Sequence, residues 1–167
     1  LTYFFMLTLL TLIKNRNDFH KAPADVPAQL PRVSILIPAY NEERCIADTI
    51  ESCLRLDYPR DKMDIIVVND GSKDRTFAIL EGLAKNEPRY KVLSFARNFG
   101  HQAAVTAGYH YASGDAVIVM DADLQHPPEL LPAMIEKWRD GFDVVSMVRS
   151  SCCARRQQRW GAQMRCT

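Results

Sequence analysis

The sequence predicts a doubly wound α/β domain with a mainly parallel sheet, and three features of the chain support this. From residue 32 onward, short apolar runs alternate with segments in which apolar residues recur at helical spacing. This alternation is typical of parallel strands joined by helices. The runs are nearly continuous, as in strands that are buried on both faces. Polar segments follow the runs, at the edge where such sheets bind ligands.

Five strands are predicted from the apolar runs. They cover residues 33–38, 63–68, 91–95, 116–120 and 144–148. Four helices are predicted between them, over residues 43–56, 77–83, 100–112 and 127–140. The first helix carries apolar residues one turn apart at Ile46, Ile50 and Cys53, and the second follows two candidate caps, Ser72 and Asp74. The third is rich in alanine, and the fourth begins at two prolines, where a missing backbone N–H costs little.

Length and composition fit one globular domain. The chain has 167 residues, of which 47% are hydrophobic and 25% are charged. The net charge of +1 argues against a nucleic-acid-binding protein, because such a protein is normally strongly basic. The five cysteines form no C-x-x-C pair and fit neither a disulfide framework nor a zinc site, which indicates a reducing compartment.

The segment before the domain has two parts. Residues 1–13 are almost wholly apolar but fall short of the about 20 residues that a membrane-spanning helix needs. Lys14 and Arg16 follow at once, as is typical of the cytoplasmic side of a membrane helix. We expect the end of a transmembrane helix here; the alternative is an apolar helix packed on the domain. Residues 14–31 are polar, contain three prolines, and are predicted to be a linker.

Two acids after the fourth predicted strand give the strongest chemical signal. Asp121 and Asp123 are separated by one residue and would repel each other without a counter-charge. A divalent cation with oxygen ligands, Mg²⁺ or Mn²⁺, would relieve that repulsion and would also hold substrate phosphates. Gln125, two residues further on, offers a neutral amide oxygen to the same centre.

Other candidate residues follow the first and second strands. Tyr40 could stack on a base and Glu42 could reach a ribose. Asp70 could accept hydrogen bonds from a base or a ribose hydroxyl. Gly71 would let the backbone approach the ligand closely.

Two arginines also follow strands. Arg97 comes after the third predicted strand and Arg149 after the fifth, and either could clamp phosphate oxygens. The alternative for each is an ordinary surface arginine.

Three stretches together resemble the inverting glycosyltransferases of family two, which have the Rossmann-like GT-A fold. They are VSILIPAYNEE, DIIVVNDGSKDRT and ARNFGHQAAVTAGYHYASGDAVIVMDADLQHPPE, and the resemblance covers residues 32–149. It implies that Asp121 and Asp123 bind the metal and the diphosphate of a nucleotide sugar. It further implies that Asp70 contacts uracil or guanine. Finally, it implies that the nucleotide pocket is lined by Ala39, Tyr40 and Glu42.

The run DADLQHPPE, with RNFG before it, most resembles dolichol-phosphate-mannose synthases and bactoprenol glucosyltransferases. The resemblance to that subgroup implies that Gln125 is a ligand of the metal and that Arg149 binds phosphate. The linker and the segment LDYPRDKMDIIVV are instead similar to membrane-bound processive synthases. The tail, residues 150–167, fits neither subgroup. We therefore expect a chain that is truncated, or read out of frame, after Arg149.

The function expected from this resemblance is glycosyl transfer at a membrane. The donor is a UDP- or GDP-linked sugar, and the acceptor is a polyprenyl phosphate or a growing polysaccharide, with the catalytic domain on the cytoplasmic side. No catalytic base is evident, so the alternative is a fragment that binds nucleotide sugar and metal without turnover. A dehydrogenase is disfavoured because no G-x-G-x-x-G follows the first strand. A nucleotidyltransferase would carry a Gly-rich, basic loop where this chain has AYNEE.

Overall fold

The computed structural model describes residues 8–11, 30–85, 87–123, 128–149 and 160–162, with the backbone alone for 8–11, 148–149 and 160–162. Its strands are β1 (Thr8–Thr11), β2 (Val33–Ala39), β3 (Met63–Asn69), β4 (Tyr90–Ser94), β5 (Ala116–Val119), β6 (Val144–Arg149) and β7 (Trp160–Ala162). Its helices are α1 (Ile46–Leu54), α2 (Thr76–Ala84), α3 (His101–Tyr111) and α4 (Leu131–Arg139), with 3₁₀ turns at Arg60–Lys62 and Pro128–Leu130. All five predicted strands and all four predicted helices are confirmed, with small shifts at their ends.

The strands form one sheet in the order β4-β3-β2-β5-β1-β6-β7. The first four in this order are parallel, and β2 lies between β3 and β5 with Val33 opposite both Met63 and Ala116. β1 is antiparallel to β5 and β6, and β7 is antiparallel to β6. The carboxyl ends of β2, β3 and β5 therefore meet at one edge, and the mainly parallel α/β fold predicted from the sequence is confirmed.

The core occupies both faces of the sheet, which is what doubly wound means. Alternate residues of β2 divide between the faces: Ile35 and Ile37 belong to the cluster under α1, α2 and α4, and Leu36 belongs to the cluster under α3. Gly108 lets α3 lie close to β2, since a Cβ at this position would stand 2.0 Å from a methyl carbon of Leu36. Burial of β2 on both sides explains why its sequence is apolar throughout.

The prediction for residues 1–13 needs correction where they are described. Thr8–Thr11 is not helical but forms β1, which lies between β5 and β6 and pairs with both. A strand here supplies backbone partners to two strands that would otherwise each leave an unpaired edge. Of the helices in the described ranges, none is long and apolar enough to cross a membrane. Most of residues 1–13, most of the linker 14–31 and most of the tail 150–167 lie outside the described residues.

Candidate functional site

Loops from neighbouring parallel strands meet in a cleft at the carboxyl edge of the sheet. The cleft has a volume of about 290 Å³. Six of the predicted site residues line it: Ala39, Tyr40, Glu42, Asp70, Asp121 and Asp123. They come from the ends of β2, β3 and β5, so the topology of the sheet brings together residues that lie up to 84 positions apart in the sequence, from 39 to 123. This is the edge at which parallel α/β sheets bind ligands.

The loops that follow β2 and β3 are joined by hydrogen bonds at their tips. The Asn41 N–H donates to the Ser72 hydroxyl at 3.0 Å, and the Lys73 N–H donates to the Asn41 side-chain oxygen at 2.8 Å. Asn41 has a φ of 58°, in the left-handed region that asparagine tolerates better than most residues. The tip of the Tyr40–Glu42 loop is thus held against its neighbour by both the backbone and the side chain of one residue.

A second set of bonds joins the same loops nearer to α2. The Glu42 N–H donates to the Thr76 hydroxyl at 2.8 Å, and the Glu43 N–H donates to the Asp74 carboxylate at 3.2 Å. Asp74 also accepts from the Thr76 N–H at 3.0 Å, at the first residue of α2, but the N-cap position belongs to Arg75, so neither Ser72 nor Asp74 is the N-cap that the sequence predicted. Partial burial raises the pKa of Asp74, but the hydrogen bonds from Thr76 and Glu43 outweigh it, so the pKa lies below its ordinary value.

Asp70 is buried, and both oxygens of its carboxylate accept backbone hydrogen bonds. The Phe99 N–H donates to one oxygen at 2.7 Å, and the Gly100 N–H donates to the other at 2.9 Å. These two N–H groups stand at the start of α3, so Asp70 fixes the segment that leads into this helix. This role was not predicted from the sequence. Each carboxylate oxygen can accept more than one bond, so a contact from Asp70 to a base stays a prediction.

Gly71 allows a close approach, but to the protein's own backbone. It has a φ of 65°, and a Cβ at this position would lie 2.2 Å from the Arg97 carbonyl carbon and 2.6 Å from the Asn98 nitrogen. The loop after β4 therefore packs directly on the loop after β3. The expectation that Gly71 makes room for a ligand is replaced by this contact between two loops.

The acidic turn, residues 121–123, begins where the pairing of β5 ends. The Met120 N–H still donates to the Leu36 carbonyl at 3.0 Å, and Asp121 and Asp123 then flank the buried Ala122. Burial raises the pKa of Glu42, and the negative charges of Asp123, Asp74 and Asp121 raise it further. Carboxylates of like charge therefore act on one another at this end of the cleft.

A protein-family model, described as Glycosyl transferase family 2, matches residues 34–165 of the chain. The chain belongs to this family. Membership of family two, predicted from the three sequence stretches, is thereby confirmed, and the matched range contains every lining residue of the cleft.

Two curated relatives support this membership. The uncharacterized glycosyltransferase YkcC of Bacillus subtilis is 49% identical over 118 residues, which are 70% of this chain and 36% of the relative. A bactoprenol glucosyl transferase of Shigella phage SfV is 42% identical over 120 residues, which are 71% of this chain and 39% of the relative. The similarity to bactoprenol glucosyltransferases is thus confirmed, while the family 2 chain spans less than two fifths of either relative.

A solved structure supports the fold. The mannosyltransferase PcManGT of Pyrobaculum calidifontis, determined in complex with GDP-Man and Mn²⁺, superposes with a TM-score of 0.60 and 29% sequence identity. The match covers 66% of the family 2 chain and 33% of PcManGT. The GT-A type of fold expected from the sequence is therefore confirmed.

Of three further residues that were predicted to bind phosphate or metal, Arg97 is not among the described residues that line the cleft, and the side chains of Arg149 and Gln125 are not described. The Arg97 guanidinium lies 4.7 Å from the centre of the Phe99 ring, a cation–π contact on the exposed lip formed by the loop after β4. Arg149 ends β6, where the backbone alone is described. Gln125 lies outside the described residues. The phosphate and metal contacts of these three side chains stay predictions.

The acids of the cleft fit the chemistry of a hard divalent cation, although they do not make a complete cage. Among the described residues, no three acidic, histidine or cysteine side chains are placed to hold one ion. Mg²⁺ is commonly bound by one or two carboxylates together with substrate phosphates and water. Asp121 and Asp123 match that arrangement, and the repulsion felt by Glu42 is what a positive charge would relieve.

Sequence reasoning assigned no role to two polar residues that line the cleft, Asn98 and His101. Both belong to the segment after β4 that contacts Gly71 and donates to Asp70. The signal for them was present, because polar residues after a parallel strand face the ligand edge. His101 shows no metal-ligand spacing to the other histidines, but such spacing does not test for a direct contact with a ligand.

Proposed function

We propose that this domain binds a UDP- or GDP-linked sugar in the cleft and transfers the sugar to a polyprenyl phosphate or a growing polysaccharide. The observation that carries the proposal is the meeting of Tyr40, Asp70, Asp121 and Asp123 in one cleft of about 290 Å³. That cleft combines an aromatic ring, a buried hydrogen-bonding acid and a pair of acids beside them. A nucleoside diphosphate presents the matching base and phosphates.

The nucleoside end of the donor is assigned to the loops after β2 and β3. Tyr40 is 40% exposed and offers a ring face on which a base can stack. Ala39 is buried beside it and leaves room that a larger side chain would fill. We assign to Glu42 a hydrogen bond from a ribose hydroxyl, and to Asp70 a hydrogen bond from the base.

The diphosphate end is assigned to the acidic turn. Asp121 and Asp123, with Gln125, would hold Mg²⁺ or Mn²⁺, which when bound neutralises charge on the departing diphosphate. Arg97 and Arg149 would pair with phosphate oxygens. An acceptor oxygen then forms a bond to the anomeric carbon as the bond from that carbon to the diphosphate breaks, and the configuration inverts.

A polyprenyl phosphate is the favoured acceptor. Its phosphate oxygen is already anionic, so the displacement needs no general base, and no residue is assigned as one here. A relative that is 42% identical is named a bactoprenol glucosyl transferase. An acceptor held in a bilayer requires that the enzyme work at a membrane surface.

Calorimetry with UDP-glucose and GDP-mannose, each with and without Mn²⁺, tests the binding step. We expect one donor to bind in the presence of Mn²⁺, and Asp123→Ala to weaken that binding by at least about tenfold. The free energy of unfolding should change by less than about 1 kcal/mol, because the variant removes one of several repelling charges. Asp61→Ala, an exposed acid outside the cleft, is the matched control.

A transfer assay with undecaprenyl phosphate tests turnover. Sugar–lipid product would support the transferase, whereas donor binding without product would support the alternative of a nucleotide-sugar-binding fragment. The chain spans 36–39% of the length of the two relatives named above, so turnover is tested separately from donor binding. If neither donor binds with Mn²⁺, or if Asp123→Ala binds as well as the wild type, the assignment of the cleft is wrong.

A further inference from the structure

Thr49 lies in the middle of α1 and is completely buried. Its hydroxyl oxygen stands 2.7 Å from the Ala122 carbonyl oxygen and 3.0 Å from the Cys45 carbonyl oxygen. A threonine hydroxyl has one proton to donate. Donation to the carbonyl four residues earlier is ordinary for threonine in a helix. The shorter contact is the unusual one, because it reaches 73 residues along the chain to the acidic turn.

The acceptor occupies a sensitive place in that turn. The Ala122 carbonyl belongs to the peptide unit that leads into Asp123, so its direction sets where Asp123 begins relative to Asp121. Ala122 itself is buried, and a buried carbonyl without a donor carries a desolvation cost. The Thr49 hydroxyl supplies that donor from beneath the turn.

A second contact on the same face of α1 supports this arrangement. Cys53 lies one helical turn after Thr49, and its sulfur stands 3.5 Å from the Met120 sulfur. Both residues are buried. Two successive positions of α1 therefore underlie residues 120–122, so the helix acts as a support for the end of β5 and the start of the turn.

We infer that Thr49 is a positioning residue: its hydroxyl holds the Ala122 peptide so that Asp121 and Asp123 are presented together to a cation and diphosphate. The inference rests on the proposed function, because that function gives the paired acids their ligand. Thr49 does not line the cleft among the described residues and would not touch the ligand. Its effect would be on the geometry of the pair.

The test is calorimetry of the full chain with UDP and GDP as probes, in the presence and absence of Mn²⁺. Thr49→Val keeps the shape of the side chain and removes the donor. We expect it to weaken Mn²⁺-dependent binding by about tenfold, as is typical when a group behind a metal ligand is lost. Thr49→Ser keeps the hydroxyl and should stay within about twofold of the wild type. Binding of uridine or guanosine without Mn²⁺ should be unchanged in both.

Thr106→Val is the matched control. Thr106 also donates to the carbonyl four residues earlier, at 2.8 Å to Gln102, but it is exposed on α3 and is not buried beneath the acidic turn as Thr49 is. It should bind both probes like the wild type. A merely structural role for Thr49 would reduce Mn²⁺-dependent and Mn²⁺-independent binding together, and that outcome would overturn the inference.

Thr49→Cys covers the case in which Thr49→Val does not fold. A thiol is a weak donor, so this variant should show an intermediate loss of about threefold in Mn²⁺-dependent affinity. Wild-type affinity in Thr49→Val, or in Thr49→Cys where the valine variant is unfolded, would sink the inference and leave the proposed function standing. If the wild type itself shows no Mn²⁺-dependent binding of either probe, the proposed function fails first, and the inference with it.

Discussion

The two ends of the cleft differ in how their carboxylates are stabilised: the first end lies at Asp70, and the second at the acidic turn and Glu42. At one end, the Asp70 carboxylate is buried and receives backbone N–H donors from Phe99 and Gly100. At the other end, burial raises the pKa of Glu42, and the like charges of Asp123, Asp74 and Asp121 raise it further. The first end is completed by hydrogen bonds within the folded protein, whereas at the second end the ionised form of Glu42 stays disfavoured after folding.

This difference teaches which residues should matter for stability and which for ligand binding. Removing Asp70 would leave two backbone donors without their acceptor, which weakens the folded state. Removing the negative charge of Glu42 at the second end relieves repulsion and so leaves the folded state as stable as before or more stable. Where carboxylates still repel one another in the folded protein, a bound cation lowers the free energy, as at many functional sites.

The largest expected effect is on Asp70. Asp70→Ala should lower the free energy of unfolding by about 3 kcal/mol, because it leaves the Phe99 and Gly100 N–H groups without a partner. Urea denaturation followed by circular dichroism measures this change. Asp115→Ala is the control, since the Asp115 carboxylate accepts a single exposed backbone bond from the Arg32 N–H and should cost about 1 kcal/mol or less. Equal losses in the two variants would remove the contrast between the ends of the cleft.

The Asp70 bonds also mark how far the sequence could predict this site. Its position at the lip of a strand follows from the apolar run 63–68, because strands buried on both faces read as continuous apolar segments. Its partners do not, because backbone N–H groups carry no residue-specific signal and depend on how the loop after β4 folds back. Gly71 makes the same point: the need for glycine was visible, but the atoms that require it belong to Arg97 and Asn98.

Two short strands of the sheet, β1 and β7, were not predicted from the sequence. Thr8–Thr11 pairs with residues more than 100 positions away, and pairing over such a distance leaves no local periodicity to detect. A four-residue strand inside a longer apolar run also matches a helix equally well by composition. Thr49 was missed for a related reason, since it reads as an ordinary helical residue until the acidic turn is placed above it.

A smaller effect is expected at Glu42, and its sign depends on pH. The raised pKa means that the ionised group is disfavoured in the folded state, so its stabilising contribution is present below the ordinary value of 4.5 and is lost as pH rises through the raised value. Glu42→Gln should therefore match the wild type near pH 4 and exceed its free energy of unfolding at pH 7. Partial exposure screens the charges, so the gain should be no more than about 1 kcal/mol.

In the binding of Mn²⁺, the wild type should have the advantage over Glu42→Gln. The cation is attracted by the charge that Glu42→Gln removes, so the variant should bind Mn²⁺ with UDP or GDP about fivefold more weakly at pH 7. The difference in affinity should shrink as pH falls toward the raised pKa of Glu42. If the variant binds Mn²⁺ as tightly as the wild type across this pH range, the charge of Glu42 does not act together with those of Asp121 and Asp123 in attracting the cation.

The smallest effect on stability is expected at the hydrogen bonds that join the tips of the loops after β2 and β3. Ser72→Ala removes the acceptor of the Asn41 N–H but leaves the bond from the Lys73 N–H to Asn41 in place. Because the lost bond is exposed and water can replace it, the free energy of unfolding should fall by about 0.5 kcal/mol. Combining Ser72→Ala with Asp74→Ala removes bonds from both parts of the loop junction at once. The double variant should lose more than the sum of the two single variants, as coupled contacts do. Additive losses in urea denaturation would mean that the two sets of hydrogen bonds between the loops after β2 and β3 act independently of each other. The first end of the cleft would then not be held as one cooperative unit.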